Sequence, residues 1–192
     1  MKLSVSCRIA EGFLSKEEAS LSLPELCDLA VAAGYEAICM RASQIGIHSS
    51  ADAVVRARET IRDRNLCVSM VTGDFDIVYN NDRGPGCLKN ITPYLNLAEA
   101  LDSTLIRVCL KTENDIAAAR HAADESAERG ITLVHQCHTQ SLFETVDNIE
   151  KCLKQIDRPN FCLIFEPANL EGCRQNYGPE TIKRLAPWIR NV

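Results

Sequence analysis

Residues 130–170, GITLVHQCHTQSLFETVDNIEKCLKQIDRPNFCLIFEPANL, carry the pattern that decides the fold. Gly130 stops one helical pattern, and Ile131–His135 is an apolar run of strand length. Phe143–Ile156 then places Val146, Ile149, Leu153 and Ile156 at helical spacing, and Phe161–Phe165 is a second apolar run. Strand, amphipathic helix and strand in that order make the repeating unit of a parallel α/β sheet. Each strand runs into a short polar cluster, Gln136 and His138 after the first, Glu166 and Asn169 after the second. Parallel α/β proteins bind ligands at the carboxyl ends of their strands, so the two clusters are candidates for one shared site.

The same alternation extends outward. Leu3–Arg8, Tyr35–Ser43, Leu66–Thr72 and Thr104–Lys111 read as four earlier strands. Helical patterns fall at 23–33, 51–65, 88–101 and 115–129, and a last one at 179–188 leads into a seventh strand at Ile189. Ser22 is the expected N-cap of the first helix, with Pro24 just inside and Gly34 closing it. Its inner stripe is Leu26, Leu29/Ala30 and Ala33; the next helix turns Val54, Val55, Ala57 and Ile61 inward. Asn80, Asn81, Asp82, Gly84 and Pro85 form a polar loop, expected to be the longest and to cover a site.

Near-continuous apolar strands indicate a sheet buried on both faces. Strict alternation with crossover helices points to a parallel sheet covered by helices; a (β/α)8 TIM barrel needs eight such βα units, of which about six fit before the chain stops. The expectation is one incomplete barrel domain over residues 1–192, ending short of the last strands. Its first and sixth strands would then be open edges, inviting a homo-oligomer that covers them.

Composition narrows the function classes. The net charge of -5 gives no general attraction for nucleic acid or anionic membrane. No apolar run could span a bilayer, and the opening MKLSVSCRIAEG lacks the features of a secretory signal. The 10 cysteines lie mostly inside regular elements without any CxxC, which reads as buried free thiols in a reducing cytoplasm. GxSxG, P-loop and GxGxxG motifs are all missing from the sequence. Cys137 and His138 are neighbours whose side chains point opposite ways on a strand, which argues against a Cys–His couple.

On GITLVHQCHT and RPNFCLIFEPANL the chain resembles the xylose isomerase-like TIM barrel family. That family includes sugar-phosphate isomerases and epimerases, inosose dehydratases and AP endonucleases. The resemblance covers nearly the whole chain. It implies a divalent metal (Mn, Mg, Co or Zn) held by carboxylates and histidine at the strand ends. Carried over by position, Glu166 takes the sixth-strand ligand place and Gln136 the fifth-strand glutamate place, with His138 nearby. The family's remaining two ligands have no counterpart in this chain. Family epimerases use paired carboxylates to move a proton, and Gln136 cannot do so.

Taken together, Glu166 and His138 are the candidate catalytic residues, and Glu166, His138 and Gln136 the candidate metal ligands. Gln136, Asn169 and the strand-end cations Arg8, Arg41, Arg107 and Lys111 are the candidate substrate contacts, suited to a sugar phosphate or sugar acid. The competing reading of those cations is separate salt bridges to Glu11, Asp74 or Glu113. Asp74 is a weaker candidate for the same mouth, as is His135, whose neighbour in the strand alternation is expected to face the helix layer, and His48 and His121 are expected at the surface. The expected activity is a metal-dependent sugar (phosphate) isomerase or epimerase. A dehydratase or lyase on a polyol or sugar acid, a metal-dependent phosphodiesterase, and a non-catalytic sugar-binding barrel or fragment are the alternatives.

Overall fold

The computed structural model describes residues 2–192. Along the chain run β1 (Ser4–Ser6), a 3-10 turn (Cys7–Ala10), α1 (Leu23–Ala32), β2 (Ala37–Arg41), α2 (Ala51–Arg62) and β3 (Cys67–Thr72). There follow α3 (Phe75–Tyr79), α4 (Gly86–Lys89), α5 (Thr92–Ala100), β4 (Leu105–Val108), α6 (Asp115–Glu128) and β5 (Thr132–Gln136). The chain continues with α7 (Val146–Ile156), β6 (Phe161–Ile164), α8 (Pro167–Gly172), α9 (Pro179–Leu185) and β7 (Ile189–Asn191). These elements divide into two compact units, Met1–Tyr79 with Thr92–Ile106, and Asn80–Ile91 with Arg107–Val192.

In the first unit β1 pairs in parallel with β2, β2 with β3, and β3 with β4. Ile38, Met40, Val71 and Ile106 are fully or almost fully buried, as a sheet covered on both faces requires. Helix α1 starts in a capping box: the Ser22 hydroxyl accepts from Glu25 N–H while the Glu25 carboxylate accepts from Ser22 N–H at 2.8 Å. Gly34, at φ +80°, then turns the chain toward β2. Helix α1 buries Leu23, Leu26, Cys27 and Ala30, and α2 buries Val54, Ala57 and Ile61. Leu29 and Val55, expected inside, face solvent instead, because each lies about 100° round its helix from the buried stripe.

In the second unit β5 pairs in parallel with β6, and β6 with β7. The β6 residues are buried throughout, and β7 covers the side of β6 that the sequence left as an open edge. Helix α7 is the amphipathic helix expected, burying Val146, Ile149, Cys152, Leu153 and Ile156. It begins at Thr145, whose hydroxyl accepts from Asn148 N–H at 3.2 Å, and ends at Asp157 in the left-handed region. Helix α6 presents Ile116, Ala119, Ala122 and Ala123 inward.

Other boundaries differ for identifiable reasons. Strand β1 stops at Ser6 because the Ser6 hydroxyl accepts from Arg8 N–H at 3.2 Å and starts the 3-10 turn. The helix expected over 88–101 is two helices, since Pro93 lacks the N–H that would bond the Lys89 carbonyl. The expected loop after β3 opens with α3, capped by the Asp74 carboxylate accepting from Ile77 N–H at 3.0 Å. The longest stretch without helix or strand is instead residues 11–22, pinned by a bridge between Glu11 and Ala19.

All ten cysteines are free thiols, and those at 7, 27, 87, 109, 137, 152 and 162 are buried. Burial pushes the Cys7 thiol up to about 12 and the Cys27 thiol up to about 11. No helix among the described residues is long and apolar enough to cross a membrane.

Glu11 is the electrostatic anchor of the first unit. Its side chain is inaccessible to solvent and accepts from Arg41 Nε at 2.6 Å, Arg41 Nη2 at 3.1 Å and the Ser43 hydroxyl at 2.8 Å. Removing one member of such a pair leaves a buried charge without its counter-ion. Glu11→Ala is therefore expected to lower unfolding free energy by about 3–5 kcal/mol, measured as a shift in the urea midpoint.

Candidate functional site

The β5–β6 register, which runs from Leu133 opposite Phe161 to Gln136 opposite Ile164, aligns the carboxyl ends of the two strands. Gln136 is the last residue of β5; Glu166 follows β6 by two residues and is the N-cap of α8, with Pro167 next in the helix. The two side chains meet: Gln136 Nε2 donates to Glu166 Oε2 at 3.3 Å. Both are half-buried. Asn169, on α8, donates from Nδ2 to the Cys137 carbonyl at 2.8 Å and ties α8 to the exit of β5. That contact makes Asn169 a brace for the pair.

His138 joins a neighbouring network. Its Nδ1 lies 3.0 Å from Asn80 Nδ2 and 2.9 Å from the Thr139 carbonyl. Asn80 is buried at φ +50°, donates also to the Thr139 carbonyl at 3.0 Å, and accepts from the Cys109 thiol at 3.2 Å. Its two amide ends are thus spent on fixing the turn after β5. Nothing in the sequence marked Asn80 beyond its place in a polar loop; the left-handed backbone that asparagine tolerates was its one signal.

The remaining candidates fall into separate roles. Arg41 and Arg8 both bond Glu11, Arg8 at 3.4 Å, so the salt-bridge reading holds for these two cations. Arg107 is buried within the second unit, and Lys111 Nζ donates to the Gln140 carbonyl at 2.7 Å. The Asp74 carboxylate is held by the Tyr94 hydroxyl and caps α3. His48 is exposed, as expected, and stacks on Phe75 with ring centroids 5.1 Å apart.

The chemistry of the donors bears on the expected metal. Among the described residues no group of three or more His, Cys, Asp and Glu is placed to hold a metal ion. Of the expected trio, Gln136 turns its amide nitrogen toward Glu166, and His138 commits Nδ1 to the Asn80 turn. One carboxylate is short of the several oxygen ligands a hard divalent cation takes. The residues present do not fit Mn, Mg, Co or Zn as a resident cofactor.

No known family pattern and no curated protein matches the sequence. Solved structures do match. The probable 3-DHS dehydratase AsbF from Bacillus anthracis is 17% identical with a TM-score of 0.73, covering 99% of this chain and 71% of that one. A D-psicose 3-epimerase crystallised with D-fructose is 13% identical with a TM-score of 0.75, covering 100% and 72%. The chain has the fold of the xylose isomerase-like TIM barrels. A protein of that fold from Mycobacterium smegmatis, in complex with magnesium, is 15% identical at a TM-score of 0.70, over 86% of this chain and 63% of that one.

His135 has a structural place in this fold. The ring is buried on β5, packs 4.6 Å from the Phe143 ring, and donates from Nδ1 to the Val108 carbonyl at 3.0 Å. Burial, with smaller contributions from Arg107, His138 and Lys111, pushes its pKa down to about 3, against the opposing Val108 bond. Between the ordinary histidine value and about 3 the unfolded chain binds a proton that the folded one refuses. Stability should therefore fall as pH drops through that window. Urea midpoints at neutral pH and near pH 4.5 are expected to differ more in the wild type than in His135→Leu.

Proposed function

We propose that this chain acts on a sugar or sugar acid, using Glu166 to move a proton at the carbon beside a carbonyl. The observation that carries the reading is the Gln136–Glu166 pair at adjacent carboxyl ends of parallel strands. A carboxylate there can take a proton, while an amide can only orient a hydroxyl or carbonyl through hydrogen bonds. Gln136 holds the Glu166 carboxylate in place, and Asn169 and Pro167 fix the helix start from which it projects. The names of the similar structures, an epimerase and a probable dehydratase, support small polyhydroxy substrates.

Within that class the pair favours elimination over epimerisation. Epimerisation needs one group to remove the proton and another to return it from the opposite face. Only one of the two strand-end side chains here can exchange a proton. A dehydratase or lyase needs a base for the carbon acid and lets the hydroxyl leave with a proton from Glu166 or solvent. This places the isomerase or epimerase reading second.

Hydrogen–deuterium exchange and product formation, followed by NMR on a panel of ketoses and keto sugar acids, tests the proposal. Glu166→Gln is expected to slow exchange by at least about 100-fold, the usual worth of a positioned acid–base group, with an unchanged circular dichroism spectrum. Exchange at wild-type rate in Glu166→Gln would end the reading. Gln136→Glu puts two carboxylates in contact, which should raise the pKa of one of them and move the pH profile of exchange upward.

A further inference from the structure

Segments 82–89 and 111–115 of the second unit border an open cleft of about 420 Å³. Arg83, Lys89 and Lys111 line it, together with Thr112, Asp82 and Asp115. The volume falls in the range of small-molecule sites. In a chain of net charge -5, three cations around one concavity are a local reversal of sign.

Two of these cations, Lys89 and Lys111, are not neutralised by a side-chain carboxylate among the described residues. Asp115 is buried, and its Oδ2 accepts from Lys111 N–H and Thr112 N–H, each at 2.8 Å, and from the Thr112 hydroxyl at 3.4 Å. It braces the turn into α6. Lys111 Nζ donates to a neutral partner, the Gln140 carbonyl at 2.7 Å, so no side-chain carboxylate neutralises it. Lys89 is exposed at the end of α4 and has no ion-pair partner among the described residues. Asp82 is the opposing charge, and its exposure lets solvent weaken it.

We infer that this cleft binds the phosphate group of a small phosphorylated molecule. Lys89 and Lys111 supply the ammonium donors, and Arg83 a third cation on the wall. Two or more cations around one cavity match a dianion better than a single carboxylate. Ammonium groups bind phosphate oxygens as point charges, without the fork geometry that a carboxylate favours. Lys111 also carries the anion's position to the turn after β5 through Gln140, in the same turn as His138. The inference does not depend on Glu166 acting as a base.

Titration of the full chain with inorganic phosphate and with fructose 6-phosphate, read by calorimetry and amide NMR shifts, is the test. Fructose is the neutral control and acetate the monoanion. Saturable binding of both phosphates is expected at a Kd on the order of 1 mM or tighter, which corresponds to only about 4 kcal/mol. Lys89→Met and Lys111→Met should each raise Kd at least about tenfold, and added salt should weaken binding. Glu166→Gln should bind phosphate as the wild type does, even if its exchange activity is lost. Lys89 is exposed and unpaired, so Lys89→Met keeps the test independent of folding. Absence of saturable phosphate binding, an unchanged Kd in Lys89→Met, or acetate binding as tight as phosphate would each overturn the assignment.

Discussion

Parallel pairing of β5 with β6 is the constraint behind the candidate site. Side chains alternate along a strand, so a slip of one residue would carry Gln136 to the other face and break its contact with Glu166. The register is held by Leu133 against Phe161, Val134 against Cys162 and His135 against Leu163, all of them buried. His135 belongs to this set as a neutral ring, filling space against Phe143. Polar chemistry at the strand ends thus rests on apolar contacts one turn of the pleat below.

Much of this was legible in the amino-acid sequence. Apolar strand-length runs and helical stripes placed all seven strands, and Ser22, Pro24 and Gly34 marked the ends of α1. Meeting of Gln136 with Glu166 followed from both residues ending neighbouring strands. What stayed hidden depended on distant partners. Arg41 stayed open between substrate contact and a salt bridge to Glu11, because its strand-end position was visible while the fold that brings Glu11 to it from thirty residues earlier was not. His138 looked like a ligand because the bend that turns it to Asn80 comes from a left-handed residue in another segment. The break before Pro93 was available in the sequence, since proline's missing N–H makes it a matter of local chemistry.

The contrast between Arg41 and Lys111 shows how the same charge takes different roles. Arg41 is buried with a bidentate carboxylate partner, and its energy goes into holding residues 11–22 against the sheet. Lys111 spends its ammonium on a backbone carbonyl beside an open cleft. A guanidinium's planar fork suits the first situation and a compact, hydrated ammonium the second. On the proposed reading, fold and recognition draw on different cations, which differ in their partners.

The ten free sulfhydryls have a consequence for handling the protein. While the chain is folded, burial keeps Cys7, Cys27 and Cys137 protonated and poorly reactive toward oxidants. Denaturation exposes all of them together on one flexible polymer, where random crosslinking competes with refolding. In air, melting becomes a one-way process whose midpoint depends on heating rate, whereas a reductant restores a true equilibrium. Shelf life is thus set by how often the molecule opens, and the redox state of the buffer decides whether it closes again.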